Sequence, residues 1–382
     1  MAEVIGSGAA PLLLVVDPGP REASAGTYSG VAMAGQSLLA AELSRRLGAA
    51  GAVVERLPVA TDRAGDFHWG AWFSAAARAG RREALVAGRA VGAIGYAGAG
   101  ALALLGDRQL EKLLSPLPGE VVANNRYSAD AFVVAGDLDG ALAALSGCGT
   151  DNAAVRYLED AGFAWRDLAA APWSRFDVDT PLDLALMRLA TRLPGTRVLD
   201  GVVAAFLEMA TLPGGGGLEV PGLEAVGNVI RSREAQLLVA GRVPSTAWSY
   251  LETESACRVR CFIEERGMRS ARDHAPRSLL ADWSSRLGPA DLVAELATLA
   301  DAVILDSRVL MAARVGSSDA AAWPPEEERF ASDFLDRTRV QTAWLAELTE
   351  AAAEASVPVV LGGHALVSDG LRLLVDAAWL GR

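Results

Sequence analysis

Residues 174–190 read "SRFDVDTPLDLALMRLA", and the fold assigned to the first half of the chain turns on them. The opening of this stretch reads as a short strand, with Asp177 and Asp179 at its end. Thr180 and Pro181 then start an amphipathic helix that carries Asp183 in its first turn. A threonine at the cap, a proline at the first helical position and an acid against the positive end of the helix dipole make a well-formed helix start. The cap needs neither Asp177 nor Asp179. Two acids one residue apart at a strand's end can also hold a cation that carries a phosphate, and both explanations stay open.

Upstream of this stretch, strands and helices alternate. Strands are expected at 11–17 ("PLLLVVD"), 52–57, 90–98, and in the short runs "EVVANN" and "DAFVVAG". Between them lie a loop with glycines through 18–35, an amphipathic helix over 36–51, a second helix after Asp66, one running to about Leu114, and one opening at Thr150 or Asp151. Alternation of this kind implies an α/β fold: a Rossmann-like, mostly parallel sheet with helices on both faces. The run "LPGGGGLEVPG" (212–222) reads as a Gly/Pro linker, which divides the chain into domains at 1–211 and 223–382. The second, smaller α/β domain is expected to carry strands at 235–242, 301–308 and 357–363, an element of uncertain type at 257–267, and one long helical stretch from Phe330 to Ala355.

The chain has 382 residues, enough for two domains, and a formal charge of -12. Nucleic-acid binding calls for a basic face, so that balance argues against it. Three cysteines without CxxC spacing suit a reducing cytoplasm. No stretch reaches the roughly 20 apolar residues of a membrane span, and "PLLLVV" lacks the basic leader of a signal peptide. Arginine is abundant, whereas Lys112 is the sole lysine.

The segment "DVDTPLDL" resembles the D/N-x-D/N-T-P-x-D-L segment of the nucleotidyltransferase family that includes molybdenum-cofactor guanylyltransferases and cytidylyltransferases and 2-phospholactate guanylyltransferase. "AGQSLLAAELSRRLGAAGAVVERL" (34–57) is similar to that family's G-x-P-L-L helix and the strand after it. The resemblance covers roughly residues 10 to 195. It implies transfer of a nucleotidyl group from a nucleoside triphosphate to a small phosphorylated or hydroxylated acceptor. Under it, Asp177 and Asp179 would share Mg²⁺ with the triphosphate, Arg21 and the loop holding Gly26 and Gly30 would bind phosphates, and Asn124, Asn125 and Arg126 would orient base or acceptor. Two features depart from the family. The glycine-rich loop has lost its L-A-G-G start and its lysine, and Tyr96 stands where an acid is usual.

The segment 121–130 also invites a ligand on its own terms, because asparagines and an arginine beyond strand ends suit a sugar, base edge or phosphate. In the second half each expected strand runs into polar residues: Arg242; Glu264 and Arg266; Asp306 and Arg308; His364. If those strands are parallel, their ends share one edge, where guanidinium groups would suit a phosphorylated or carboxylated small molecule. The histidines lack metal-ligand spacing. Two functions follow: a divergent nucleotidyltransferase working on a small-molecule nucleotide, or a catalytically degenerate nucleotide- or metabolite-binding or scaffolding protein with any chemistry in the C-terminal half.

Overall fold

The strand Ala9–Asp17 (β1) carries five consecutive buried residues, Leu12 to Val16. A run apolar on both faces belongs in the middle of a covered sheet, not at a one-sided edge. The computed structural model describes residues 9–19, 26–58, 67–168, 173–194, 197–266 and 275–380. It contains two sheets and two compact units. Unit 1 consists of Met1–Arg21, Met33–Asp179 and Arg197–Val203; unit 2 of Glu22–Ala32, Thr180–Thr196 and Ala204–Arg382.

In unit 1, β1 pairs in parallel with Val53–Pro58 (β2) on one side and Ala90–Ala97 (β3) on the other. Ala131–Ala135 (β5) runs antiparallel between β3 and Glu120–Ala123 (β4), and Ala164–Asp167 (β6) closes the order β2-β1-β3-β5-β4-β6. The sheet is therefore mixed, with one reversed strand. Period-two alternation divides its side chains between two cores. Leu12, Leu14 and Val16 pack with Trp69, Phe73, Tyr96 and Phe132, while Leu13 and Val15 pack with Ala40, Leu43 and Leu47. The helices from Tyr28 to Met209 are Tyr28–Ala49 (α1), Trp69–Val86 (α2), Asp107–Leu113 (α3), Leu138–Ser146 (α4), Ala154–Asp160 (α5), Pro181–Ala190 (α6) and Gly201–Met209 (α7), of which α1 and α7 span both units and α6 belongs to unit 2. His68 caps α2, its Nδ1 accepting from the Ala71 N–H.

Unit 2 holds Gln236–Gly241 (β7), Arg258–Ile263 (β8), Ala302–Asp306 (β9) and Val359–Gly362 (β10) in the order β10-β9-β7-β8. Every pairing is parallel. Its helices are Leu223–Arg231 (α8), Ser245–Glu254 (α9), Leu279–Leu287 (α10), Pro289–Thr298 (α11), Ser307–Val315 (α12), Glu326–Asp333 (α13), Ala343–Glu354 (α14) and Asp369–Ala378 (α15). No helix among the described residues is long and apolar enough to cross a membrane.

Several elements differ from the sequence-based expectation. Residues 176–179 lie in no strand. The Asp177 Oδ1 accepts the Val178 N–H, and the Val178 carbonyl accepts from the Gln36 side chain, so side chains satisfy backbone groups that a ladder would otherwise pair. The helix start was read correctly: Thr180 and Asp183 form a reciprocal capping box. Yet α6 falls in unit 2, where a Cβ on Gly362 would lie 2.5 Å from Leu182 and one on Gly370 2.6 Å from Leu186. The glycine-rich 212–222 lies inside unit 2 and does not separate the units. Leu212, Leu218 and Val220 are buried there, which a free linker would not manage. Helix α1 begins at Tyr28, eight residues before the expected start, because Thr27 caps it by accepting the Gly30 N–H. The long helical stretch from 330 is broken between α13 and α14, with Leu335 at φ +57°.

Where β7 ends, Gly241 has φ +135°, and a Cβ there would stand 2.2 Å from the Asp306 Cβ. Gly241→Ala should therefore lose roughly 2–4 kcal/mol through combined clash and backbone strain. Urea denaturation of the two proteins measures it; a change below about 0.5 kcal/mol would show that the approach is not tight.

Candidate functional site

Two sheet rims gather polar side chains, one in each unit. In unit 1, β3 and β4 end and the reversed β5 begins at the same edge, so residues flanking these termini meet there. The Tyr96 hydroxyl donates to Asp151 Oδ2 at 3.1 Å. Asn124, buried, donates through Nδ2 to Asp130 Oδ2 at 3.1 Å and accepts through Oδ1 from the N–H groups of Asp130 and Ala131. Burial drives the Asp130 carboxyl up to about 7, against the Asn124 hydrogen bond, and the negative charges of Asp179 and Asp151 push it further the same way. Asp179, Asp130 and Asp151 thus form one electrostatic group at the rim. Asp177 is half-buried, and its Oδ1 approaches the space beside Gly100 in the loop after β3.

The other residues singled out in unit 1 have local partners. Asn125 Oδ1 accepts the Tyr127 N–H, closing a turn. Arg126 grips Glu159 with two bonds of 2.9 and 2.8 Å and lies over the rings of Tyr127 and Trp165. Asn124 and Arg126 therefore have structural work that spacing alone did not reveal. Asp17, at the end of β1, accepts from Gly19 N–H and Ser37 Oγ and pairs with Arg56 at 3.3 Å.

The expected phosphate loop is different again. Arg21 lies outside the described residues. Gly26 takes a left-handed conformation, φ +82°, just before the cap, and Gly30 is the third residue of α1. At the start of α1, within unit 2, the Glu327 carboxylate accepts from the N–H groups of Tyr28 and Ser29 at 2.9 and 3.0 Å. A helix N-terminus attracts anions, and here a carboxylate of the chain itself occupies two of its donors. Glu327 was not anticipated, since in "PPEEERF" it reads only as an acid favouring the start of its own helix.

In unit 2 the parallel pairing places all four strand ends on one edge. Arg242 donates to both oxygens of Asp306, at 2.7 and 3.0 Å, and Asp306 is fully buried. Arg242 holds the Asp306 carboxyl below its ordinary range in spite of burial, which pulls the other way. Arg308 is buried against Asp333, which accepts from both of its terminal nitrogens. Glu264 turns aside: its Oε1 accepts from Ser278 Oγ and from the Leu280 N–H at the start of α10. Arg308 and Glu264 are thus scaffold groups. The His364 side chain keeps contact with solvent; desolvation first, then the guanidinium groups of Arg242 and Arg266, lower it to about 4 against the opposing charge of Asp306. Its imidazole is therefore neutral at physiological pH.

Among the described residues no group of three or more histidine, cysteine or acidic side chains is arranged to hold a metal ion. Asp177 and Asp179 belong to no such group. Comparison of the chain with protein-family models, curated proteins and solved structures gave no match.

The raised Asp130 carboxyl has a direct effect on stability. A group whose folded pKa lies above its unfolded value binds more protons when folded, so its contribution is present at low pH and is lost as pH rises. Folding stability should fall between about pH 4 and pH 7 on this account. Asp130→Asn should remove that part of the slope, as read from denaturation midpoints across the range. An identical pH profile in the variant would place the titration elsewhere.

Proposed function

We propose that this chain is a divergent nucleotidyltransferase-like protein whose first unit binds a small-molecule nucleotide at the sheet rim around Asp130, Asp151 and Asp179. What supports this is that Asp179, from the "DVDTPLDL" segment, lies near enough to Asp130 at the strand ends for its negative charge to help raise the Asp130 carboxyl. Open α/β sheets take ligands at the carboxyl ends of their strands. A carboxyl poised near neutrality can donate a hydrogen bond to a base or phosphate when protonated, and accept a proton from a hydroxyl when not. Tyr96, bonded to Asp151, adds a polar tip above an aromatic cluster of Trp69, Phe73 and Phe132. If the chain transfers a nucleotidyl group, Mg²⁺ would arrive with the triphosphate, and the acceptor would be a small phosphorylated or hydroxylated metabolite.

The alternative is a protein that binds a nucleotide or metabolite, or serves as a scaffold, without transferring anything. It is favoured by Glu327 on the first N–H groups of α1 and by the placement of the sole lysine, Lys112, in α3. Phosphoryl and nucleotidyl chemistry relies on cations and backbone donors around the phosphates.

Thermal-shift measurements with the nucleoside triphosphates, with and without Mg²⁺, test both. A ligand present at a hundredfold excess over its Kd should add about 2.7 kcal/mol. For the nucleotide site, the stabilisation should appear in the native protein and be largely lost in Asp179→Asn. Pyrophosphate release would then point to transfer, and its absence to binding alone. No shift with any triphosphate would remove the nucleotide from the rim.

A further inference from the structure

At the edge of the second sheet opposite Arg242 and Asp306, where β7 and β8 begin, lies an open cavity of about 610 Å³. It is lined by Arg233, Thr253, Glu254, Ser255, Ala256 and Trp379. Small-molecule sites span about 300–1,000 Å³, so the volume is ample for a metabolite. Three segments of unit 2 form the walls: the turn between α8 and β7, the end of α9 and the end of α15. Hydrogen bonds tie these segments to one another. The N–H groups of Ala256 and Cys257 donate to the Ile230 carbonyl at 2.9 and 3.3 Å, and the Arg258 N–H donates to that of Ala235 at 3.0 Å. Trp379 Nε1 donates to the Glu254 carbonyl at 2.8 Å, and the Tyr250 hydroxyl donates to Asp376, so α9 and α15 are joined at two levels.

We propose that this cavity binds a free amino acid, its carboxylate on Arg233 and its ammonium at Glu254 and the carbonyl end of α9.

The class of ligand follows from which groups are already engaged. Thr253 Oγ1 donates to the Ser249 carbonyl at 2.8 Å, and Ser255 Oγ to that of Leu251 at 2.6 Å, so both hydroxyl hydrogens are turned into α9. The indole N–H of Trp379 is likewise taken. The Arg233 guanidinium and the Glu254 carboxylate, both on exposed residues, differ: among the described residues neither takes part in a hydrogen bond or an ion pair. Two opposite charges therefore line one cavity without meeting each other. A guanidinium grips a carboxylate through two parallel bonds. Glu254 is the final residue of α9. The last turn of a helix leaves carbonyl groups without helical donors and carries the negative end of the dipole. That corner suits a cation with several N–H donors, which an ammonium supplies. A plain anion would be repelled by Glu254 and a plain cation by Arg233. A molecule with both charges a short distance apart answers both, and an amino acid sets a carboxylate and an ammonium on either side of one carbon.

The site uses residues of unit 2 alone and does not rest on nucleotide binding in unit 1. Saturation-transfer NMR of the whole protein with a mixture of the standard amino acids finds which of them binds. That amino acid is then compared with its N-acetyl form, which lacks the positive charge, and its amide, which lacks the negative one. The expected result is saturable binding of the free amino acid and about tenfold or greater weakening for each blocked form. Arg233→Gln and Glu254→Gln should each weaken the free amino acid by a similar factor; both side chains are exposed, so the fold should tolerate their loss. The proposal is overturned if no amino acid receives saturation, if either blocked form binds as tightly as the free one, or if either variant binds as tightly as the native protein.

Discussion

Removing a carboxylate from water costs several kcal/mol unless a cation, a proton or a set of hydrogen-bond donors answers it. Each unit sets acids at or beyond the carboxyl ends of its strands, and the answers differ. Asp306 is answered by a guanidinium and remains ionised. Asp130, with Asp151 and Asp179 for company, is answered near neutrality by a proton. Glu327 is answered by the backbone donors of a helix start. What each rim can do chemically follows from which of these was used.

A guanidinium answer makes a fixed rim. Arg242 locks Asp306 and so holds the ends of β7 and β9 together, while Arg308 locks Asp333 and joins α12 to α13. Such pairs add little net stability over apolar packing, but removing one partner strands the other. Their use lies in placement, because one fixes the end of β7 beside that of β9 and the other fixes α13 against α12. A proton answer makes a changeable rim. The state of Asp130 depends on pH and on any charge brought beside it, which is the behaviour expected where a ligand of variable charge is handled.

Much of the fold was legible in the sequence, and for simple reasons. Continuous apolar runs such as Leu12–Val16 and Ala302–Leu305 announce covered parallel strands, and Thr180-Pro181-x-Asp183 announces a cap. The four strand ends of the second half could be listed before their geometry was known, because parallel strands place equivalent ends together. What escaped were contacts remote in sequence. Nothing local shows that Glu327 reaches Tyr28, 299 positions away, or that Arg126 is claimed by Glu159. The strand expected before Asp177 failed because side chains of Gln36 and Asp177 took over the hydrogen bonds of a ladder. Short helices such as α10 and α12 were hidden by loops rich in charge.

The two units alternate along the chain: it passes between them at 21/22, at 32/33 within α1, at 179/180 just before α6, at 196/197, and at 203/204 within α7. Neither unit can be excised by cutting one peptide bond. A fragment ending in the glycine run would keep α6 but lose β10 and α15, leaving Leu182 and Leu186 bare. Heating this protein should thus give a single calorimetric peak, in contrast to chains whose modules hang from a tether and unfold in turn.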